Sequence, residues 1–219
     1  MLPHSAPLAF DGSGIDGSLF TSVTDFARDT HWLNAPIALA TNLGLGVFAV
    51  LMVIGWWKAR GRDDKAMARA LAAPFAVVIA FAVAEVVKKL VGEVRPCRSL
   101  PHDYFVSACP APDDYAFPSG HTTTAAATMA ALFLLDRRLA AIAGVFTLLE
   151  GFTRVYVGDH YPHDVLGSLV IATPVALVAA LLVARVLAPL VTRFRAGGAL
   201  QPLLVTQAVT RPRTSAGPR

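Results

Sequence analysis

The chain has 219 residues, room for one domain or two small ones, with 55% hydrophobic and only 16% charged residues. That balance and a mean hydropathy of +0.55 exclude a disordered chain, a collagen-like fibre and a disulfide-stapled secreted knot. The net charge of +4 comes without any RNA- or DNA-binding motif, so nucleic acid is not an expected partner.

Residues 1–36 form a first unit. They lack a basic segment ahead of an apolar one, which argues against a cleaved signal peptide. Leu19, Phe20, Val23, Phe26 and Ala27 recur at helical spacing, with Asp25, Arg28 and Asp29 on other faces. The pattern predicts a short helix. It either lies in the outer interface of a bilayer, with Trp32 at headgroup depth, or packs on a bundle.

Residues 37–192 predict an all-α polytopic membrane helical bundle with about five transmembrane helices. Ile37–Trp57 and Val165–Ala184 carry no charge, and each reaches the roughly 20 residues needed to cross a hydrocarbon layer. Three more apolar segments lie between them. Leu71–Val91 holds Glu85, Lys88 and Lys89, Phe117–Leu135 holds His121, and Leu139–Val157 holds Glu150 and Arg154. A soluble helical core is the alternative, but two full-length spans are hard to bury in so small a domain. Residues 193–219, rich in Pro, Thr, Arg and Gly, predict a flexible basic tail.

Five spans put three basic groups on one side: Lys58, Arg60, Arg62, Lys65 and Arg69; Arg137 and Arg138; and Arg193, Arg195, Arg211, Arg213 and Arg219. The excess of basic residues marks that side as cytoplasmic. The opposite, extracytoplasmic side then receives Lys88, Arg95-Pro96, Pro118-Ser119-Gly120-His121, Arg154, His160 and Asp164, contributed by four spans. Ionisable groups in apolar segments are costly, so their convergence points to function.

Lys88, Arg95 and Arg154 suit phosphate oxygens, arginine by its planar fork and lysine as a point charge. Ser119, Gly120 and His121 open a helix whose first N–H groups lack internal partners, a natural anion seat. His160 and Asp164, four residues apart, would share one face of a helix, the carboxylate fixing the imidazole tautomer and freeing the other nitrogen to attack. His121 could then protonate a departing oxygen. His121, His160, His163 and Asp164 could alternatively ligate a metal, but the neighbouring cations oppose this, and no cofactor is expected.

Other residues have secondary roles in this reading. Glu150, four residues before Arg154, and Glu85, three before Lys88, are expected to aim those cations. Lys89, Asp159, His163 and His102 stand outside the catalytic set. Cys97 and Cys109 share the outward loop, where a disulfide is permitted and would stiffen the segment carrying Arg95; free thiols are the alternative. Oligomeric state leaves no readable pattern.

Lys88-x6-Arg95-Pro96, Pro118-Ser119-Gly120-His121 and Arg154-x5-His160-x3-Asp164 together resemble the three-part signature of the type 2 phosphatidic acid phosphatase superfamily. The motifs span about a third of the chain, and Thr153 stands where the third motif usually has serine. The resemblance implies a metal-independent phosphatase with a phosphohistidine intermediate. His160 would be the nucleophile, Asp164 its orienting partner and His121 the leaving-group acid, with Lys88, Arg95, Ser119, Gly120 and Arg154 holding the phosphate. Within the superfamily, Gly151–Ser168 and Phe117–Thr123 are similar to the bacitracin-resistance type of undecaprenyl pyrophosphate phosphatase. This implies a lipid-linked phosphate substrate, cleaved on the extracytoplasmic face of a bacterial cell membrane to recycle the cell-wall lipid carrier. Gly120 departs from an aspartate found in some such enzymes, which keeps phosphatidic acid and phosphatidylglycerol phosphate open as substrates. An anion transporter using the same cations is a further alternative; it would place charges at the midplane of broken helices.

Overall fold

A computed structural model describes residues 10–197 and 199–205. The amphipathic N-terminal pattern becomes α1 (Ser13–Asp29), which buries Phe20 and Ala27 completely. α1 packs against the ends of the bundle helices, with Phe20 5.3 Å from the Tyr161 ring, while Leu19 and Phe26 stay exposed on its other side. Trp32 is exposed at the start of the next helix.

The first uncharged stretch is the middle of α2 (His31–Ala59). Asp63 then accepts from the Ala66 N–H at 2.8 Å and opens α3 (Asp64–Val91). After the one-turn α4 (Pro96–Ser99), a long loop returns to Ser119, which caps α5 (Gly120–Phe133). Asp136 accepts from the Arg138 and Leu139 N–H groups to start α6 (Arg137–Tyr156). Pro162 occupies the first turn of α7 (Pro162–Arg195), where its missing N–H costs nothing. A short α8 (Gln201–Leu204) follows. Among the described residues there is no β-strand, only an isolated bridge between Phe10 and Glu93.

Alanine sets the packing. Ala72, Ala76, Ala80 and Ala84 recur every fourth residue along α3, as do Ala172, Ala176, Ala180 and Ala184 along α7, and all eight are buried. Small side chains let two backbones approach closely where lipid supplies no hydrophobic drive between helices. Large apolar residues point outward instead: Leu90 and Val170 are 80% and 74% exposed.

Helices α2, α3, α6 and α7 are long and apolar enough to cross a membrane. The third expected span behaves differently. Phe117–Ser119 are not helical, and α5 has 14 residues, about 21 Å by helical rise, short of a hydrocarbon core. It does not need that length, because α3, α6 and α7 pack around it and bury most of its surface. The expected basic clusters do gather at one end of the bundle. There Arg62 and Arg69 donate to the Leu135 and Leu134 carbonyls, and Lys58 pairs with Asp136. The start of the expected flexible tail is helical: α7 continues through Arg195, whose guanidinium donates to the Ala59 and Arg62 carbonyls and to Asp64. Arg211, Arg213 and Arg219 lie outside the described residues.

Candidate active site

The other end of the bundle holds a cavity of about 380 Å3 whose lining includes Lys88, Arg95, Gly120, His121, Arg154 and His160, with Leu45 and Phe81 forming an apolar wall. Residues from α3, α5 and α6 and from the α6–α7 turn thus meet at one place, as the spacing predicts. Ser119 is the exception. It is fully buried, does not line the cavity, and spends its hydroxyl accepting from the Thr122 N–H and Thr122 Oγ1. Its part is to start α5 and so set Gly120 and His121 at the cavity edge.

His160 and Asp164 meet by a route other than a shared helix face. His160 lies in the turn before α7, and Asp164 is in the first turn of that helix. Pro162 makes the helix begin late, and Asp164 folds back to accept from the Tyr161 N–H at 2.9 Å and from His160 Nδ1 at 3.2 Å. Gly158, at φ +87°, supplies the left-handed turn that carries the chain from α6 to His160. A hydrogen on Nδ1 leaves His160 Nε2 with its lone pair, and Arg95 Nη1 donates to that nitrogen at 2.9 Å. Burial, and then the charges of Arg95, Arg154 and Lys88, hold the His160 imidazole neutral well below its usual titration range.

Two acidic residues outside the helices engage the cations. Arg95 donates from Nε to the Asp114 carbonyl at 2.9 Å and from Nη2 to the Asp114 carboxylate at 2.8 Å, and Lys88 reaches the same carboxylate oxygen at 3.5 Å. Burial works against ionisation of Asp114, but the hydrogen bond and charge of Arg95, aided by Lys88, outweigh it and hold the carboxyl below its usual range. Asp159, raised by burial although Arg154 opposes this, pairs with the Arg154 guanidinium. The sequence reading did not single out Asp114 at all. No motif marks it, because it reaches the cations only through the fold of the α4–α5 loop.

The supporting acids behave partly as expected. Glu85 pairs with Lys88 at 3.3 Å. Glu150 acts on Arg154 through an intermediary: it accepts from Thr41 Oγ1 at 3.0 Å, and Thr41 in turn accepts from Arg154 Nη1 at 3.2 Å. Cys97 and Cys109 form a disulfide, with Cα atoms 5.9 Å apart. Behind His160, Glu93, His163 and Asp164 place ligand-type atoms within 4.8 Å of one another. Ligand atoms around a tetrahedral ion stand roughly 3.3 Å apart. The 2.8 Å between His163 Nε2 and Glu93 Oε1 is the length of a hydrogen bond instead.

Fold and site together define a membrane-type helical bundle with a cationic, phosphate-sized cavity around a carboxylate-oriented histidine. Residues 69–187, more than half of the chain, match the PAP2 superfamily, and the chain belongs to that superfamily. Undecaprenyl-diphosphatase BcrC of Bacillus subtilis is 51% identical over 59 residues, 27% of this chain and 31% of the relative. Lipid A 1-phosphatase of Rhizobium johnstonii is 37% identical over 115 residues, 51% of this chain and 46% of the relative. The aligned part of the chain therefore spans between about a third and a half of the length of these curated relatives. The fold is similar to that of Aquifex aeolicus LpxE, with a TM-score of 0.60 over 82% of this chain and 98% of the other. At 19% identity that likeness concerns the fold alone.

Proposed function

We propose that the chain is an integral membrane lipid phosphatase that hydrolyses a polyprenyl diphosphate, undecaprenyl diphosphate first among them, to the monophosphate and inorganic phosphate. It would thereby recycle a cell-wall lipid carrier. One observation carries the reading: His160 presents Nε2 to a cavity ringed by Lys88, Arg95 and Arg154 while Asp164 holds Nδ1. Nε2 attacks the terminal phosphorus, and the bond from phosphorus to the bridging oxygen breaks. Burial and the charges of Arg154, Lys88 and Arg95 push the His121 imidazole down to about 4; substrate phosphate offsets those cations, so His121 takes up a proton and delivers it to the departing lipid phosphate. Water, passing a proton to His121, then attacks the phosphohistidine; the P–N bond breaks, releasing inorganic phosphate and restoring both imidazoles. Arg95 leaves Nε2 when phosphate arrives and, with Lys88 and Arg154, offsets charge on the equatorial oxygens.

The cavity opens at the end of the bundle opposite the basic cluster, which supports an extracytoplasmic site in a bacterial cell membrane. The disulfide at the site end agrees with an oxidising compartment. A second reading has its own support. The lipid A 1-phosphatase relative aligns with nearly twice as much of this chain as the BcrC relative does, favouring lipid A as substrate.

The test is phosphate release by the purified full chain, in EDTA, from undecaprenyl diphosphate, lipid A, phosphatidic acid and phosphatidylglycerol phosphate. Preferred turnover of undecaprenyl diphosphate, lost in His160→Ala, supports the reading. Full activity in that variant refutes the nucleophile, abolition by EDTA refutes the metal-free mechanism, and preference for lipid A transfers the substrate to the second reading.

A further inference from the structure

Behind the nucleophile lies a partly buried group of charges around His163, a residue that the reaction scheme does not use. His163, one residue before Asp164, has carboxylates on both ring nitrogens. Nδ1 is 2.7 Å from Asp16 Oδ1 on α1, and Nε2 is 2.8 Å from Glu93 Oε1 in the segment after α3. Asp16 also accepts from the His163 backbone N–H at 2.7 Å. Ionised carboxylates only accept, so both nitrogens donate and the ring carries the positive charge of the group. Asp164, fully buried, uses Oδ2 for His160 and Tyr161; its Oδ1 has no hydrogen-bond partner and sees His163 Nε2 at 3.6 Å.

Three carboxylates therefore crowd around one imidazole. Asp16 comes from α1, Glu93 from beyond α3 and Asp164 from α7, while the rings of Tyr161 and Phe117 stack alongside at 5.4 and 6.3 Å. Gly12, just ahead of α1, permits the close approach, because a Cβ there would collide with Glu93 Oε1 and lie 2.8 Å from His163 Cε1. The Val94 N–H donates to the Phe10 carbonyl at 2.9 Å, fastening the same segment across Glu93.

We propose that His163 is a positioning residue. Bridged between Asp16 and Glu93, it offsets their charge beside Asp164 and keeps that carboxylate aligned on His160, and it makes docking of α1 a condition of catalytic competence. Without it, Glu93 and Asp16 leave Asp164 among like charges. Asp164 is then driven further toward its protonated form, and a neutral carboxyl accepts less strongly from the Nδ1–H that frees Nε2. This inference rests on the phosphatase reading for its kinetic consequence but not for its structural one.

The experiment compares wild type, His163→Gln and the double variant His163→Gln/Glu93→Gln, all as full chains in detergent. The double variant removes one charge of each sign, so the balance around Asp164 returns although the imidazole is gone. With the preferred lipid substrate, kcat in His163→Gln should fall about ten- to a hundredfold with KM within about twofold, and the double variant should recover most of the loss. Histidine 15N NMR should show the His160 Nδ1–H tautomer in wild type, a displaced His160 Nδ1 signal in His163→Gln and its return toward the wild-type position in the double variant. An unchanged His160 signal in His163→Gln overturns the proposal even if no substrate is turned over. A double variant no better than the single one overturns it too, by reducing His163 to packing. Wild type inactive on every lipid phosphate, with the NMR pattern as expected, would refute the phosphatase reading and leave the positioning role standing.

Discussion

On the proposed reading, Asp114 competes with substrate phosphate for the same cations. Its carboxylate sits on Arg95 Nη2 at 2.8 Å and near Lys88 Nζ at 3.5 Å, while its carbonyl accepts from Arg95 Nε. A phosphate arriving in the cavity must displace that carboxylate before it can take the same donors. Replacing Asp114 by Asn keeps the shape and the carbonyl contact and removes the competing charge. A charge-assisted hydrogen bond contributes about 1.5–3 kcal/mol when shielded. The Asp114 side chain is 44% exposed, so solvent screening reduces the competing term to about 1 kcal/mol. By RT ln K this is about fivefold in affinity. Inhibition of the Asp114→Asn variant by inorganic phosphate should therefore tighten about fivefold, with a similar fall in KM for the lipid substrate. Steady-state kinetics with added phosphate measures both. Weaker phosphate inhibition together with a higher KM would mean that Asp114 organises the cations for substrate, and the competition argument would fail.

Four further outcomes follow from named contacts. His121→Ala should slow formation of a phosphoenzyme in rapid-quench experiments, whereas a variant that forms it at the wild-type rate would remove His121 from the acid role. His160, held neutral in the fold below its usual value of 6.5, makes the unfolded chain bind the extra proton as pH falls, so stability declines with acidification below that value. The loss should grow as pH falls from 7 to 5 and be smaller in His160→Gln, as read from melting temperatures across that range. Reducing the Cys97–Cys109 bridge, a 12-residue separation, should lower stability by about 3 kcal/mol on the chain-entropy estimate and reduce activity. An unchanged melting temperature after reduction would show that the loop gains nothing from the link. Gly158→Ala introduces a side chain at φ +87° and against the Phe105 ring, so about 1–3 kcal/mol and most activity should be lost. Retained turnover would show that the turn tolerates a shift of His160.

Much of the molecule was legible from its residues because bilayer physics acts locally. Uninterrupted apolar runs announce helices, basic residues gather where the helices emerge on one side, and cations stranded at the other ends declare a site. Lys88, Arg95, Gly120, His121, Arg154 and His160 could be assigned to one cavity before any coordinates because helix ends are countable. Family motifs carried the residue roles one step further.

Contacts between distant segments were beyond that reach. The packing of α1 on the bundle depended on a complement for Phe20 and Ala27 that distant residues such as Phe105, Val155, Tyr156 and Tyr161 provide. α5 could be shorter than a bilayer because its neighbours enclose it, a fact of arrangement absent from its own composition. Ser119 turned inward to cap its helix, and His160 met Asp164 across a proline-delayed helix start. Asp114, Glu93 and Asp16 found their partners across loops whose course no periodicity records. Local sequence determined which groups could act and at which end of the bundle. The fold decided which carboxylate faces which cation, because that depends on angles and distances accumulated over many residues.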